Sequence, residues 1–518
     1  MRKRFELYLG TAVVFLLVFC VYGSTRSSLF NIDGMGYANV ICRAESLPLS
    51  SANHLLYPAV GYSVSRALHA DALATLQWLN VLAGALGAAL MVVLASRLLP
   101  ISHKMAAGLG LGLATSYGYW LHGTDAEDMM IGTVLMLLGV LVFVWKKQTI
   151  TIPQAILCGI FTALAALFHA NLILIGIPLL VWLFFQPNMK KGAAASAFCL
   201  TVFSMLAIPV GILALAYPQT LAERLGGQLM AQWDVWGAFS LKELARSGYG
   251  GVKSFLGFPI LYERLSIFLR EAQLFEKVLW LAAMAGMVLL MLGLLIFGIR
   301  GALKHLNILK PVAWLLGLWI LIHGSVAVFW APGDVEFWVP VLTAFWLLLG
   351  WLALLGGRKG AVCLGSLVVL LFVCNATFSF YPASNPNNNT HLQLAKALHK
   401  QSEPGDLIVT PGADWISTYV AYFSQREVLD LEVELYRHGS LEQVGVIAKQ
   451  QMDTTLEHGN RVWVGSLYGK AADENPAWEF LRPLGLTPET LRGFFALYPR
   501  YETIQIHDRR FRVIEKQE

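Results

Sequence analysis

Long apolar runs recur from one end of this chain to the other, and they limit its fold more than any other feature. Stretches such as "LYLGTAVVFLLVFCVYG" and "MMIGTVLMLLGVLVFVW" are continuous rather than alternating. A helix needs roughly 20 apolar residues to cross a bilayer. In hydrocarbon only helices and closed barrels pair every backbone polar group internally, and continuous runs point to helices. The chain has 518 residues, 56% hydrophobic and 14% charged. An ordinary soluble domain is about 25% charged, so a water-soluble core would not hide this much apolar surface. The expected fold class is a polytopic α-helical membrane protein.

Hydropathy places about eleven spans, near 8–24, 73–96, 104–121, 129–146, 152–169, 171–186, 193–216, 278–299, 311–330, 337–356 and 360–380. The fifth and sixth are short and separated only by "HAN". They read as a tight hairpin or one broken helix. Basic loops sit on the cytoplasmic side, so Arg2, Lys3 and Arg4 put the N-terminus inside. The even turns then carry Arg97 and Lys104, Lys146 and Lys147, Lys190 and Lys191, Arg300, Lys304 and Lys310, and Arg358 and Lys359. The short outward turns "HGTDAED", "HAN" and "APGDVEF" are acidic or neutral. The N-terminal run lacks a clear small-x-small cleavage site and reads as an uncleaved first span.

The transmembrane domain is expected over 1–380, with long outer loops at 25–72 and 217–277. The second loop mixes aromatics and charges at helical spacing, as amphipathic helices in the interface plane do, with Trp233 and Trp236 as anchors. Residues 381–390 are a turn-rich linker. Residues 391–518 alternate strand-like runs ("DLIVTPG", "REVLDLE", "RVWVGSL", "YETIQIHDRRFRVIE") with helical ones. They predict a small extracytoplasmic α/β domain. Net charge is +5, much of it in inter-helix loops. With no basic stripe, nothing points to nucleic acid. Six cysteines without a CxxC give no disulfide framework.

Acidic residues gather on the outer side: Asp33 in "NIDGMGY", Asp125, Glu127 and Asp128 in "HGTDAED", and Asp334 and Glu336 in "APGDVEFW". They fall at the outer ends of spans one, four and ten. Carboxylates there cost desolvation energy unless they have partners or a task. Local roles are available. Thr124 to Glu127 fits a capping box, Asp33-Gly34 is a common turn dipeptide, and Asp334 suits an N-cap. His169 fits an interfacial polar group.

The combination resembles a family, the GT-C glycosyltransferases that use lipid-phosphate sugars. A basic N-terminus and first span lead into an outer loop that begins with an acid, Asp33. Tyr37 and Arg43 to Glu45 follow, then Tyr57-Pro58 before the second span, and the second outer loop again carries acids. Protein O-mannosyltransferases and aminoarabinose transferases are similar in this region. The chain has Asp33-Gly34 where the family often has Asp-Glu, and Leu56-Tyr57-Pro58 where Lys-Pro-Pro or His-Pro-Pro is frequent. The sugar stays open.

The resemblance implies a GT-C-like membrane domain and transfer of a sugar from a polyprenyl phosphate to an acceptor hydroxyl, with inversion. It implies Asp33 as general base, with Glu127 and Asp128 beside it. Arg43, His54, Tyr57, Arg66, His122 and Asp125 would bind substrate or its phosphate. Glu127 and Asp128 would suit Mg²⁺ or Mn²⁺. The acceptor is a glycan, lipid or protein, and the expected location is a bacterial inner membrane. A lipid or glycan transporter or flippase, a non-catalytic envelope scaffold, and a glycan polymerase or ligase are the alternatives. A transporter would show charges within spans and inverted repeats. Charges in mid-span are few here, and no internal repeat is evident.

Overall fold

The computed structural model describes residues 2–48, 54–145, 150–185, 191–216, 240–262, 265–302, 310–330, 333–410, 412, 416–465, 485, 487–498, 500–506 and 509–515. Two compact units emerge, one of Met1–Gly34 and Ile41–Ser384, the other of Met35–Val40 and Asn385–Glu518.

The first unit is helical. Its leading elements are α1 (Arg2–Ser24), the ends of α2 (Ile32–Arg43), α3 (Leu56–Leu68), α4 (Ala72–Leu98), α5 (His103–Thr115), α6 (Tyr117–Thr124), α7 (Met129–Val144) and α8 (Ile152–Phe168). After a 3₁₀ turn at Ala170–Ile175 come α9 (Gly176–Phe184), α10 (Lys191–Ala216), α11 (Leu241–Phe255), α12 (Leu265–Glu271), α13 (Leu274–Ala302), α14 (Lys310–Phe329), α15 (Val339–Leu355) and α16 (Gly357–Asn375). Among the described residues seven helices are long and apolar enough to cross a membrane, or eight if the bent pair α6–α7 counts as one.

Eleven crossings were expected, and the differences have local causes. The segment 104–121 is broken at Ser116, which is extended, and its hydroxyl donates to the Gly112 carbonyl at 3.0 Å. The chain turns by 117° between α6 and α7. Helix α8 has only 17 residues and ends at an extended His169. The expected interface helix over 217–239, with Trp233 and Trp236, lies outside the described residues. The part that follows forms α11 and α12.

Helix α4 is the axis of this unit: 72% of its most apolar window is buried, against 17% for α1. Small residues allow that approach, since helices in lipid gain little from apolar burial and associate by close packing. A Cβ on Gly84 would meet the Tyr22 ring at 2.8 Å, and one on Gly87 would meet the Tyr119 hydroxyl. Both phenols have polar partners. Tyr22 donates to the Ala114 carbonyl at 2.7 Å and Tyr119 to the Gly84 carbonyl at 3.1 Å. Asn375, at the end of α16, links the helix ends around it. Its amide donates to the Thr115 and Phe255 carbonyls, each at 2.8 Å, and its oxygen accepts from the Gly257 N–H at 2.9 Å. One buried side chain thus ties three segments.

The second unit holds a five-stranded sheet of order β2-β1-β3-β5-β4, with β1 (Leu407–Thr410), β2 (Glu427–Asp430), β3 (Val462–Val464), β4 (Glu502–Ile506) and β5 (Arg509–Ile514). Strand β1 runs parallel to β2 and β3, and β5 pairs antiparallel with β3 and β4. The run "YETIQIHDRRFRVIE", read as one strand, folds into the β4–β5 hairpin. All four residues of β1 are buried, as in sheets covered on both faces.

Asp406 pins β1 to β3. It accepts from the Glu403 and Arg461 N–H groups, each at 2.9 Å, from the Arg461 guanidinium at 3.1 Å and from the Trp463 indole at 2.8 Å. Burial alone would raise its pKa, but these donors hold it below the ordinary value. Its stabilisation is therefore present above the unfolded carboxylate's pKa and lost as pH falls through the lower folded value. Asp406→Ala strands four donors. It is expected to cost about 3 kcal/mol, read as faster hydrogen exchange of β1 and β3 amides in the full chain. Unchanged protection would refute this role.

Candidate functional site

The turn 122–128 is built from its carbonyls outward. Thr124 O accepts from the Ser27 N–H at 3.0 Å, and the Gln77 amide donates to Ser27 O at 2.7 Å. The Asn80 amide donates to the Asp125 carbonyl at 2.8 Å, to the Tyr57 hydroxyl at 3.1 Å and to the Glu127 carbonyl. The Asp125 carboxylate accepts from the Asn31 N–H at 2.9 Å and the Ala126 N–H at 2.8 Å. Asp125 therefore ties the first outer loop to this turn.

The expected capping box does not form. The Thr124 hydroxyl donates back to the Trp120 carbonyl at 2.9 Å, so Thr124 closes α6 instead of opening α7. Asp128 is the residue before α7 and makes no capping hydrogen bond. Glu127 and Asp128 are thus spared for other contacts. Asp33-Gly34 is not a turn either: both lie in the first turn of α2, capped by the Asn31 side chain. Gly34 is required by proximity. A Cβ there would meet the Ala126 carbonyl oxygen at 2.6 Å, so α2 lies directly on the acidic turn.

Around this contact stand Asp33, Asp125, Glu127, Asp128, Asp334 and Glu336, with His54, His122 and His169 among them. His54 Nδ1 bonds Asp128 Oδ2. His169 Nε2 meets Glu336 Oε1 at 2.7 Å, and its Nδ1 meets Asn171 Oδ1 at 2.7 Å. The His54 and His169 rings lie 5.0 Å apart. Asp334 Oδ1 accepts from the Glu336 N–H at 3.0 Å, and α15 starts only after a 3₁₀ turn at Glu336–Trp338, so Asp334 is not its N-cap. Both ring nitrogens of His122 and Oε1 of Glu127 are buried without a partner among the described residues.

Burial and crowding set the charges. Asp33 keeps an exposed edge, yet the protein packed around it takes away part of its solvation; that, then the negative charges of Glu336 and Asp128, raise it to about 6, with His54 opposing. Asp125 also rises to about 6 by burial, against its two backbone donors. Burial drives Glu127 well above the carboxylate range, and Glu336 and its acidic neighbours add to this. Burial pulls His169 down, but the hydrogen bond and charge of Glu336 outweigh it and lift His169 to about 9.

The sequence-derived residues divide. Asp33, His54, Tyr57, His122, Asp125, Glu127 and Asp128 come together. Arg66 instead donates to the Ala44 carbonyl at 3.0 Å and lies over the Tyr62 ring, exposed, and Arg43 is exposed at the end of α2. Sequence reasoning missed Asn80 and undervalued His169. Neither carries a motif; an Asn buried in a span was the available signal.

Ligating atoms of His54, Asp128 and His169 lie within 4.8 Å of one another, the one such trio found among the described residues. Glu127, expected to share a metal with Asp128, is not part of it. Two imidazoles and a carboxylate fit a zinc-like or manganese-like ion better than Mg²⁺, which prefers oxygen. His169 has both nitrogens engaged, so an ion here would displace its contact with Glu336.

No family model and no curated protein matches this chain. Solved structures do. The archaeal oligosaccharyltransferase AglB from Archaeoglobus fulgidus, in complex with an inhibitory peptide and a dolichol-phosphate, is 12% identical, with 88% of this chain and 69% of that one covered and a TM-score of 0.48. ArnT from Cupriavidus metallidurans is 12% identical over 99% of this chain and 98% of its own, with a TM-score of 0.45. The arabinofuranosyltransferase AftD from Mycobacteria is 13% identical over 100% of this chain and 40% of its own, with a TM-score of 0.47. These structural neighbours are GT-C glycosyltransferases.

Proposed function

We propose that this chain is an integral membrane glycosyltransferase that moves a sugar from a polyprenyl phosphate to an acceptor hydroxyl at the outer face. The observation that carries this reading is Asp33. It stands at the head of α2 against the acidic turn and is raised to about 6. A carboxylate that is ionised at neutral pH, but only just, is matched to general-base work.

In the reaction the acceptor oxygen attacks the anomeric carbon while its proton passes to Asp33. The bond from that carbon to the phosphate oxygen breaks, and its electron pair leaves with the lipid phosphate. A single displacement inverts the anomeric centre. Glu127, held neutral, donates a hydrogen bond from its buried carboxyl to a sugar hydroxyl. His54, Asp128 and His169 would hold a divalent ion, which would supply positive charge beside the donor phosphate. The basic even turns support a cytoplasmic N-terminus, and a bacterial inner membrane is the proposed setting.

The test is chemical. Purified chain in proteoliposomes is given a synthetic polyprenyl-phosphate sugar and an envelope extract, and free polyprenyl phosphate is measured. A transferase releases it in step with sugar incorporation. A flippase or scaffold leaves the donor intact, and that result would refute the reading.

A further inference from the structure

Helix α11 carries a cation that the sequence did not single out. Lys253 is half-buried and sits over two rings, Nζ lying 5.8 Å from the Tyr117 centroid and 5.2 Å from the Phe258 centroid. Among the described residues its ammonium has no hydrogen-bond or ion-pair partner. Rings hold an ammonium by their faces and leave its N–H groups unspent, and Lys has three of them.

The helix is set against the acidic segment by small residues. A Cβ on Gly250 would meet the Gly333 backbone at 2.8 Å, and one on Gly251 the Trp338 ring at 3.1 Å. The Ser247 hydroxyl donates to the Val328 carbonyl at 3.2 Å. On the other side Gly118 of α6 faces Ser254, 3.6 Å from where its Cβ would be. Lys253 therefore sits on α11 where that helix packs between α6 and residues 333–338. His122 lies on α6 with both ring nitrogens unmet, 2% exposed. Asp334 is the shared neighbour: His122 and Lys253 both favour its ionised form against burial.

We propose that Lys253 is the cation that grips the phosphate of the lipid donor, with the unmet nitrogens of His122 as a second contact. This rests on the glycosyl-transfer reading above and adds the residue that holds its donor. The surroundings fit a phosphate anion on an apolar chain. Phe258, beside the ammonium, belongs to an apolar cluster with Phe268 and Trp280, against which Tyr249 and Tyr262 pack. That cluster is buried, and the part-exposed Tyr249 and Tyr262 packed on it are what an isoprenoid tail from a head at Lys253 would meet.

Binding of decaprenyl monophosphate and of uncharged decaprenol to the detergent-solubilised full chain, measured by native mass spectrometry, tests this. The wild-type chain is expected to bind the phosphate at least tenfold tighter than the alcohol. Lys253→Met should erase that ratio with alcohol binding unchanged, which also certifies the fold. Lys253→Arg should restore most of it, and Asp33→Asn should leave it intact. Inorganic phosphate at millimolar concentration should not compete, since the tail supplies most of the affinity. Competition at that concentration would mean a free-phosphate site and overturn the donor assignment. A ratio that survives Lys253→Met would put the phosphate on other groups and overturn the Lys253 assignment alone. Loss of both ligands in Lys253→Met would mark Lys253 as structural. If the wild-type chain binds both forms equally, the lipid-phosphate reading itself fails.

Discussion

Asp33→Asn is expected to slow sugar transfer at neutral pH by about 10²–10⁴-fold, the range that a positioned general base supplies. Asparagine keeps the size and the hydrogen-bonding reach but does not accept the acceptor's proton. The pH profile carries a second signature. Asp33 rises from the ordinary 3.8 to about 6, and only its ionised form is a base. The wild-type rate should therefore be flat above that value and fall about tenfold per pH unit below it. The residual rate of Asp33→Asn should lack this limb. Initial rates from pH 4.5 to 8 in one buffer series decide it. A variant with wild-type turnover, or one that keeps the same acid limb, would remove Asp33 from the chemistry.

Gly34→Ala is expected to lower turnover by about 10²-fold with Asp33 still present. The added Cβ would sit 2.6 Å from the Ala126 carbonyl oxygen and 3.1 Å from its carbon. Both are backbone atoms, already fixed by the ties on either side of Ala126, so α2 must retreat. A displacement near 1 Å at a catalytic group costs about two orders of magnitude in rate. The control lies two residues on: a Cβ on Gly36 meets nothing within 4 Å, so Gly36→Ala should leave turnover unchanged. Because the charges around Asp33 stay in place, the acid limb should persist at reduced height. Equal rates for the two alanine variants would show that the close contact is unimportant.

Much of the helical framework is legible in the sequence because hydrophobic length is a local property. Each expected span is at least partly helical, and the strands of the second unit lie within the runs that alternate. Where the helices depart from the expected spans, a polar residue marks the place: Ser116 and His169 end helices inside apolar stretches. The site was legible in its acids, since charge between apolar runs is conspicuous. Its basic side was legible only in His54 and His122. Arg43 and Arg66 share the first outer loop with Asp33 but end on the surface. His169 and Lys253 are far from that loop in sequence, and only folding brings His169 to Glu336 and Lys253 to Tyr117. Asn80 is hidden for another reason: an amide inside a span has no local partner, and its acceptors belong to the turn at 125–127 and to Tyr57.

Outer turns are ordinarily where a membrane protein tolerates added or lost residues. The one at 122–128 has no slack for that. Thr124, Asp125 and Glu127 each present a carbonyl to a fixed donor from another segment, and the Asp125 carboxylate takes two backbone N–H groups besides. Inserting a single residue would shift these acceptors out of register with Ser27, Asn80 and Asn31. Descendants of this chain can thus drift in length at other outer turns, while this one is held to its present number of residues.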